Sequence, residues 1–166
     1  VKFEDFKPGT VILAEPKALT REDIIDFARR WDPQWFHTDP ERARTGRFGA
    51  LVASGWQTCA MAMRSAVDLA LADSESFASP GVNYIRWPRP VMADEPLRFR
   101  AEVLAARRSA SQPDLGIIQW RWEMLHADGS QALELEVTSM FDLTAGTETP
   151  VSSTGAGLKL HRAAGP

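Results

Sequence analysis

The chain has 166 residues, 44% of them hydrophobic and 25% charged, enough for one globular domain with a core that needs no disulfide or metal staple. A formal net charge of -3 leaves no basic footprint for nucleic acid, and no apolar run approaches the length that spans a bilayer. One cysteine, Cys59, makes no internal disulfide and fits a reducing compartment, and the three histidines show no metal-ligand spacing.

In chain order, Val1-Lys2-Phe3-Glu4-Asp5 carries no apolar signal region, so a cytoplasmic protein away from membranes is expected. Val11–Ala14 follows the turn pair Pro8-Gly9 and reads as a short strand. Thr20-Arg21-Glu22-Asp23 resembles a capping box with Asp in place of Glu. Ile24, Ile25, Phe27, Ala28 and Trp31 then recur at helical spacing. Pro33 disfavours helical backbone in the residue before it, so this helix ends near Asp32. Asp39-Pro40 starts a second, short helix that closes near Gly46.

Ser54 to Ala72 is the next helix. Trp56, Cys59, Ala60, Met63, Ala66, Val67, Ala70 and Leu71 make a broad apolar stripe, which predicts burial against a sheet. Val82–Trp87 is a strand broken by Pro88 and Pro90. Leu97, Phe99, Ala101 and Val103 alternate with polar residues. So do Ile118, Trp120, Trp122 and Met124, and then Leu133, Leu135 and Val137. Such alternation belongs to antiparallel strands with one buried face. Asp128-Gly129 turns the last hairpin. Residues 144–166, rich in Thr, Ser, Gly and Ala, read as a polar extension after a single domain over 1–143. The fold class is α+β: an antiparallel sheet wrapped around one long central helix, the hot-dog arrangement.

The chemistry concentrates in Trp31-Asp32-Pro33-Gln34-Trp35-Phe36-His37. An acid and an imidazole five apart would diverge on a straight helix, but a proline-broken turn can bring them face to face. General acid/base catalysis needs two such groups at one reacting atom. Trp31, Trp35 and Phe36 would lower the local dielectric, pushing a carboxyl up and an imidazole down. Taken alone, the pattern is weak and is more often met by Asp32 capping a helix and His37 closing a turn. Ser54-Gly55 adds a helix entry whose free N–H groups and close backbone approach suit an oxyanion. The same glycine could instead serve helix–sheet packing.

The ordered set Phe3-Glu4-Asp5-Phe6, Thr20-Arg21-Glu22-Asp23, Asp32-Pro33-Gln34-Trp35-Phe36-His37, Ala53-Ser54-Gly55-Trp56 and Arg86-Trp87-Pro88-Arg89-Pro90 resembles the MaoC-like dehydratases, which include the R-specific enoyl-CoA hydratases. The resemblance spans most of residues 1–143. It implies that Asp32 and His37 hold and activate one water and that the Gly55 N–H polarises a thioester carbonyl. It also implies a hot-dog homodimer or higher homo-oligomer with sheets joined edge to edge, and an acyl-CoA as substrate with no further cofactor. The family motif runs Asp-x-Asn-Pro-x-His; here Gln34 replaces the Asn and the proline has moved to Pro33. Met63 stands where some hydratases carry a serine.

The expected reaction is reversible addition of water to a 2-enoyl thioester. His37 is the favoured base and Asp32 the favoured proton donor, within a coupled pair whose roles the sequence does not separate. Ser54, Trp35, Phe36 and Trp56 are expected to line the substrate, and the bulk of the aromatics hints at a short or branched acyl group. Arg86, Arg89, Arg98 and Arg100 could meet phosphates, although a solvated strand face is the preferred reading. A hot-dog thioesterase is the nearest rival, yet its acid would have to be Asp68, far along the central helix. A non-catalytic acyl-CoA-binding protein is the other.

Overall fold

A computed structural model describes residues 1–144 and the backbone of His161 and Arg162. After a 3-10 turn at Phe3–Asp5, strand β1 covers Thr10–Leu13 and helix α1 covers Arg21–Trp31. The capping box closes as predicted: Thr20 Oγ1 accepts the Asp23 N–H (3.1 Å) and the Asp23 carboxylate accepts the Thr20 N–H (2.9 Å). Two of the donors a helix start leaves orphaned are thereby satisfied. Asp32 ends α1 with φ −151°, already out of the helical region as the following proline requires.

Where the sequence reads only as a turn, a single helical turn, α2, forms at Trp35–Thr38. Asp39 then caps α3, Pro40–Arg44, by accepting the Arg42 N–H at 3.0 Å.

The central helix α4 runs Gly55–Ala66 and widens into a π turn at Val67–Leu71. Its buried face keeps Ala66 and Ala70 of the predicted stripe, with Cys59 and Leu71 partly buried, and otherwise differs from it. Gln57, Thr58, Ala62, Ser65, Ala66 and Ala70 point inward, while Trp56 and Met63 are 58% and 46% exposed. The reason is packing distance and self-satisfaction. Ala62, Ala66 and Ala70 recur every fourth residue and let the helix approach the sheet. The Thr58 and Ser65 hydroxyls donate to their own helix at Ser54 O and Met61 O, so burying them leaves no orphan donor.

Strands β2 (Ser76–Arg86), β3 (Arg98–Arg108), β4 (Leu115–Leu125) and β5 (Gln131–Asp142) complete the sheet, with a short β6 at His161–Arg162. The order is β2-β5-β4-β3-β1-β6, antiparallel throughout. Helix α4 packs on β3, β4 and β5. The predicted alternation holds: Leu97, Phe99, Ala101, Val103, Ile118, Trp120, Trp122, Met124, Leu133, Leu135 and Val137 are all buried. Gly129 turns the β4–β5 hairpin with φ +84°, a left-handed value that glycine adopts freely. The fold is the hot dog that the pattern predicts.

Strand β2 starts six residues earlier than the predicted Val82 and lies at the sheet edge, largely exposed from Phe77 to Asn83. The expected extension over 144–166 lies outside the described residues, apart from Thr144 and the β6 backbone beside Thr10 and Val11.

Candidate active site

The proline-broken turn does bring Asp32 and His37 together. Asp32 stands at the C-terminal cap of α1 and His37 on the one-turn helix α2, and Asp32 Oδ2 lies 3.3 Å from His37 Nε2. Both are withdrawn from solvent, with side-chain exposures of 18% and 7%. The other ring nitrogen, His37 Nδ1, is 2.7 Å from the carbonyl oxygen of Val52. A carbonyl only accepts, so Nδ1 carries a proton, and in the neutral ring Nε2 is left with the lone pair, facing Asp32. The Phe36 ring packs on the imidazole at a centroid distance of 4.4 Å.

Asp32 is held at both oxygens. Ser54 Oγ donates to Oδ2 at 2.7 Å, and Gln34 Nε2 donates to Oδ1 at 2.8 Å. The departure at Gln34 therefore has a structural role, because its longer amide reaches the carboxylate from within the turn. Ser54 is fully buried and caps α4, its Oγ accepting the Trp56 N–H at 3.3 Å. It acts through Asp32. Burial pushes the Asp32 carboxyl up, but the bonds from Ser54 and Gln34, joined by the field of His37 when its ring is protonated, outweigh that and hold it below its ordinary value.

A lowered carboxyl is a resting anion, which runs against the expectation that Asp32 starts as the proton donor. Its ionisation favours the folded state above the ordinary carboxylate pKa, a contribution lost as pH falls through the lowered value. Ser54→Ala removes the largest of the lowering bonds. Asp32 should then titrate at higher pH, read from its carboxyl 13C shift, and its pH-dependent share of stability should shrink. Loss of the cap itself should cost about 1 kcal/mol at neutral pH.

Gly55 is the first residue of α4, and its N–H makes no hydrogen bond among the described residues. Packing accounts for this glycine as well. A Cβ here would sit 2.7 Å from Trp87 Cε2, and Trp87 Nε1 donates to Gly55 O at 3.0 Å. Both readings of Gly55 are compatible, since the indole fixes the turn that presents the free N–H.

The remaining aromatics divide. Phe36 touches the site, and Trp56 flanks Gly55 by packing edge-on against Trp87 at 5.4 Å. Trp35 turns instead toward Arg42, 4.6 Å from its ring, and toward Gly46. Trp31 is 74% exposed and does not lower the dielectric around the pair. Two functional groups escaped the sequence reading. The Val52 carbonyl has no side-chain signature, and Trp87 could have been flagged only as an aromatic beside the Pro88–Pro90 break.

Three of the four arginines are engaged by carboxylates: Arg86 by Glu134, Arg89 by Asp128, and Arg100 by Glu102 and Glu123. A cleft lined by Arg100, Glu102, Arg121 and Glu123 contains none of the Asp32–His37 cluster. Among the described residues, no group of three His, Cys, Asp or Glu side chains could hold a metal, and no helix is long and apolar enough to cross a membrane.

Comparison with known proteins adds a lineage to this geometry. Residues 4–118 match the family described as MaoC like domain. The chain is 30% identical over 118 residues to the uncharacterized protein YdeM of Bacillus subtilis, covering 71% of this chain and 82% of that protein. It is 35% identical over 88 residues to 3-hydroxyacyl-thioester dehydratase Z of Mycobacterium tuberculosis, covering 52% of this chain and 58% of that one. The crystal structure of a MaoC-like dehydratase from Rhodospirillum rubrum superposes with a TM-score of 0.76 at 32% identity, over 84% of this chain and 94% of that one.

Proposed function

The chain belongs to the MaoC-like dehydratase family, and from that premise we propose that it adds water reversibly across the C2–C3 double bond of a 2-enoyl thioester, in the cytoplasm. One observation carries the reading. Asp32 Oδ2 and His37 Nε2 converge to 3.3 Å, and in the neutral ring, with its proton on Nδ1 toward Val52 O, both are acceptors. Two acceptors at that distance call for a donor with two hydrogens, and water is that donor. A water giving one hydrogen to each keeps its oxygen lone pairs for C3.

The steps follow from the groups present. The thioester carbonyl accepts the Gly55 N–H, which favours the enolate that forms when C3 is attacked. The water oxygen bonds to C3 as His37 Nε2 takes its proton. The imidazolium so formed faces the Asp32 anion, which stabilises it. It then returns the proton to C2 and the π bond is gone. Asp32 orients the water and offsets the charge, while His37 is base and then acid. Phe36, packed on His37, and the Trp56–Trp87 pair beside Gly55 bound the acyl thioester, a coenzyme A ester of a short or branched acid.

Asp68, the acid a thioesterase would need, is committed to Arg64 at 2.8 Å and Lys17 at 3.5 Å. A panel of 2-enoyl-CoA esters tests the proposal. Conjugated absorbance should fall with no release of thiol, fastest for the short or branched esters; thiol release at the same rate would make the protein a thioesterase instead.

The open outer edge of β2 supports pairing with a second copy of the chain. Sedimentation velocity should give the mass of two chains or a multiple of two, and a monomer at micromolar concentration would refute this.

A further inference from the structure

A second buried histidine lies outside the site. His126 ends the β4 side of the hairpin with a side chain only 1% exposed, and its Nδ1 is 2.7 Å from Glu95 Oε1. Its Nε2 is buried with no hydrogen-bond partner among the described residues, so the ring is best served by a single proton on Nδ1, given to Glu95. Arg89 also approaches Glu95 Oε1, at 3.7 Å, and is itself tied to Asp128 and Ser130 on the same hairpin. The other oxygen, Glu95 Oε2, accepts the Met92 N–H at 3.2 Å, and the Glu95 N–H returns to Met92 O at 3.4 Å. This closes a tight turn over Met92–Glu95. Its third residue, Asp94, has φ +62°, an uncommon value outside glycine that needs support from its surroundings.

The turn stands directly behind the catalytic pair. Val52 and Met92 face each other in an antiparallel bridge, and the Ala53 N–H donates to Val91 O at 2.8 Å. Val52 in turn supplies the carbonyl that takes the His37 Nδ1 proton. Besides Phe36 O, which takes the Val52 N–H, these are the backbone bonds that locate Val52 and Ala53.

We propose that Glu95 is a positioning residue for His37: clamped by His126 and Arg89, it fixes the turn that backs Val52 and so holds the imidazole in the tautomer that leaves Nε2 free. The inference rests on the hydration reading for its effect on rate, but not for its effect on the tautomer. A carboxylate suits the post because it accepts from His126 and a backbone N–H at once and carries the charge that faces the Arg89 guanidinium, which an amide does only in part.

The test compares Glu95→Gln and Glu95→Ala with wild type. Long-range 1H–15N spectra of the histidine rings report the His37 tautomer whether or not a substrate is known. Wild type should show the Nδ1–H form. Glu95→Ala should show a mixture of tautomers and, on an enoyl-CoA that wild type hydrates, a kcat lower by about tenfold with KM within about twofold. Glu95→Gln, which keeps the shape and one acceptor, should fall between. A Glu95→Ala protein that is folded by circular dichroism, with lower thermal stability but a wild-type His37 tautomer, would overturn the proposal and leave Glu95 a purely structural residue. If wild type hydrates no enoyl-CoA while its His37 tautomer still shifts in Glu95→Ala, the hydration reading fails and the positioning role stands.

Discussion

Asp32→Asn and His37→Ala should each lower the rate of enoyl-thioester hydration by about a thousandfold, the scale of a positioned general base. The two fail for different reasons. His37→Ala removes the base that takes the proton from the water. It also strands the buried Val52 carbonyl, so some loss of stability, about 1–3 kcal/mol, should accompany the loss of rate. Asp32→Asn is nearly isosteric, but the atom that accepts from Ser54 is also the one that faces His37 Nε2, so an amide nitrogen placed there gives up the Ser54 bond. The amide turns one acceptor into a donor, and at 3.3 Å that donor would occupy His37 Nε2. The water loses both its seat and its base, so kcat should collapse while KM changes little, and any fall in melting temperature should be confined to pH values at which the Asp32 carboxyl ionises. Steady-state kinetics beside a thermal melt separates the two patterns.

The second large effect is expected at Gly55. A methyl group there meets three indole atoms of Trp87 at 2.7, 2.8 and 2.9 Å. For the ring to swing away, the 3.0 Å bond from Nε1 to Gly55 O and the edge contact with Trp56 must be given up. Gly55→Ala should therefore cost about 1–3 kcal/mol of stability. Displacing the first turn of α4 also moves the free N–H from the thioester oxygen, and an ångström of misplacement there lowers kcat by about a hundredfold. In a Trp87→Ala background the collision is gone, and the same substitution should cost much less stability. A double-mutant cycle reads that difference directly.

The sheet was legible because its signal is local: a period of two along each strand marks the buried face without knowledge of its neighbours. The face of α4 was not. Hydropathy scores Thr58 and Ser65 as polar although their hydroxyls are satisfied within the helix, and it scores Trp56 and Met63 as core although both point outward. In the site, Asp32, His37 and Gly55 stood out through side-chain chemistry and order along the chain. The Val52 carbonyl did not, because every residue has one and only the fold selects it. Glu95 and His126 lie on separate elements, and their contact spans 31 residues of sequence. Trp31 was misplaced for a simpler reason: the helix that carries it turns that position to solvent.

The destination of the water oxygen tests the central claim most directly. A 2-enoyl-CoA incubated with the enzyme in H2-18O and D2O should yield a 3-hydroxyacyl-CoA with 18O on C3 and one deuterium on C2, the thioester intact. Label in a free carboxylate, with unlabelled C3 and released thiol, would contradict the account and assign the pair to hydrolysis.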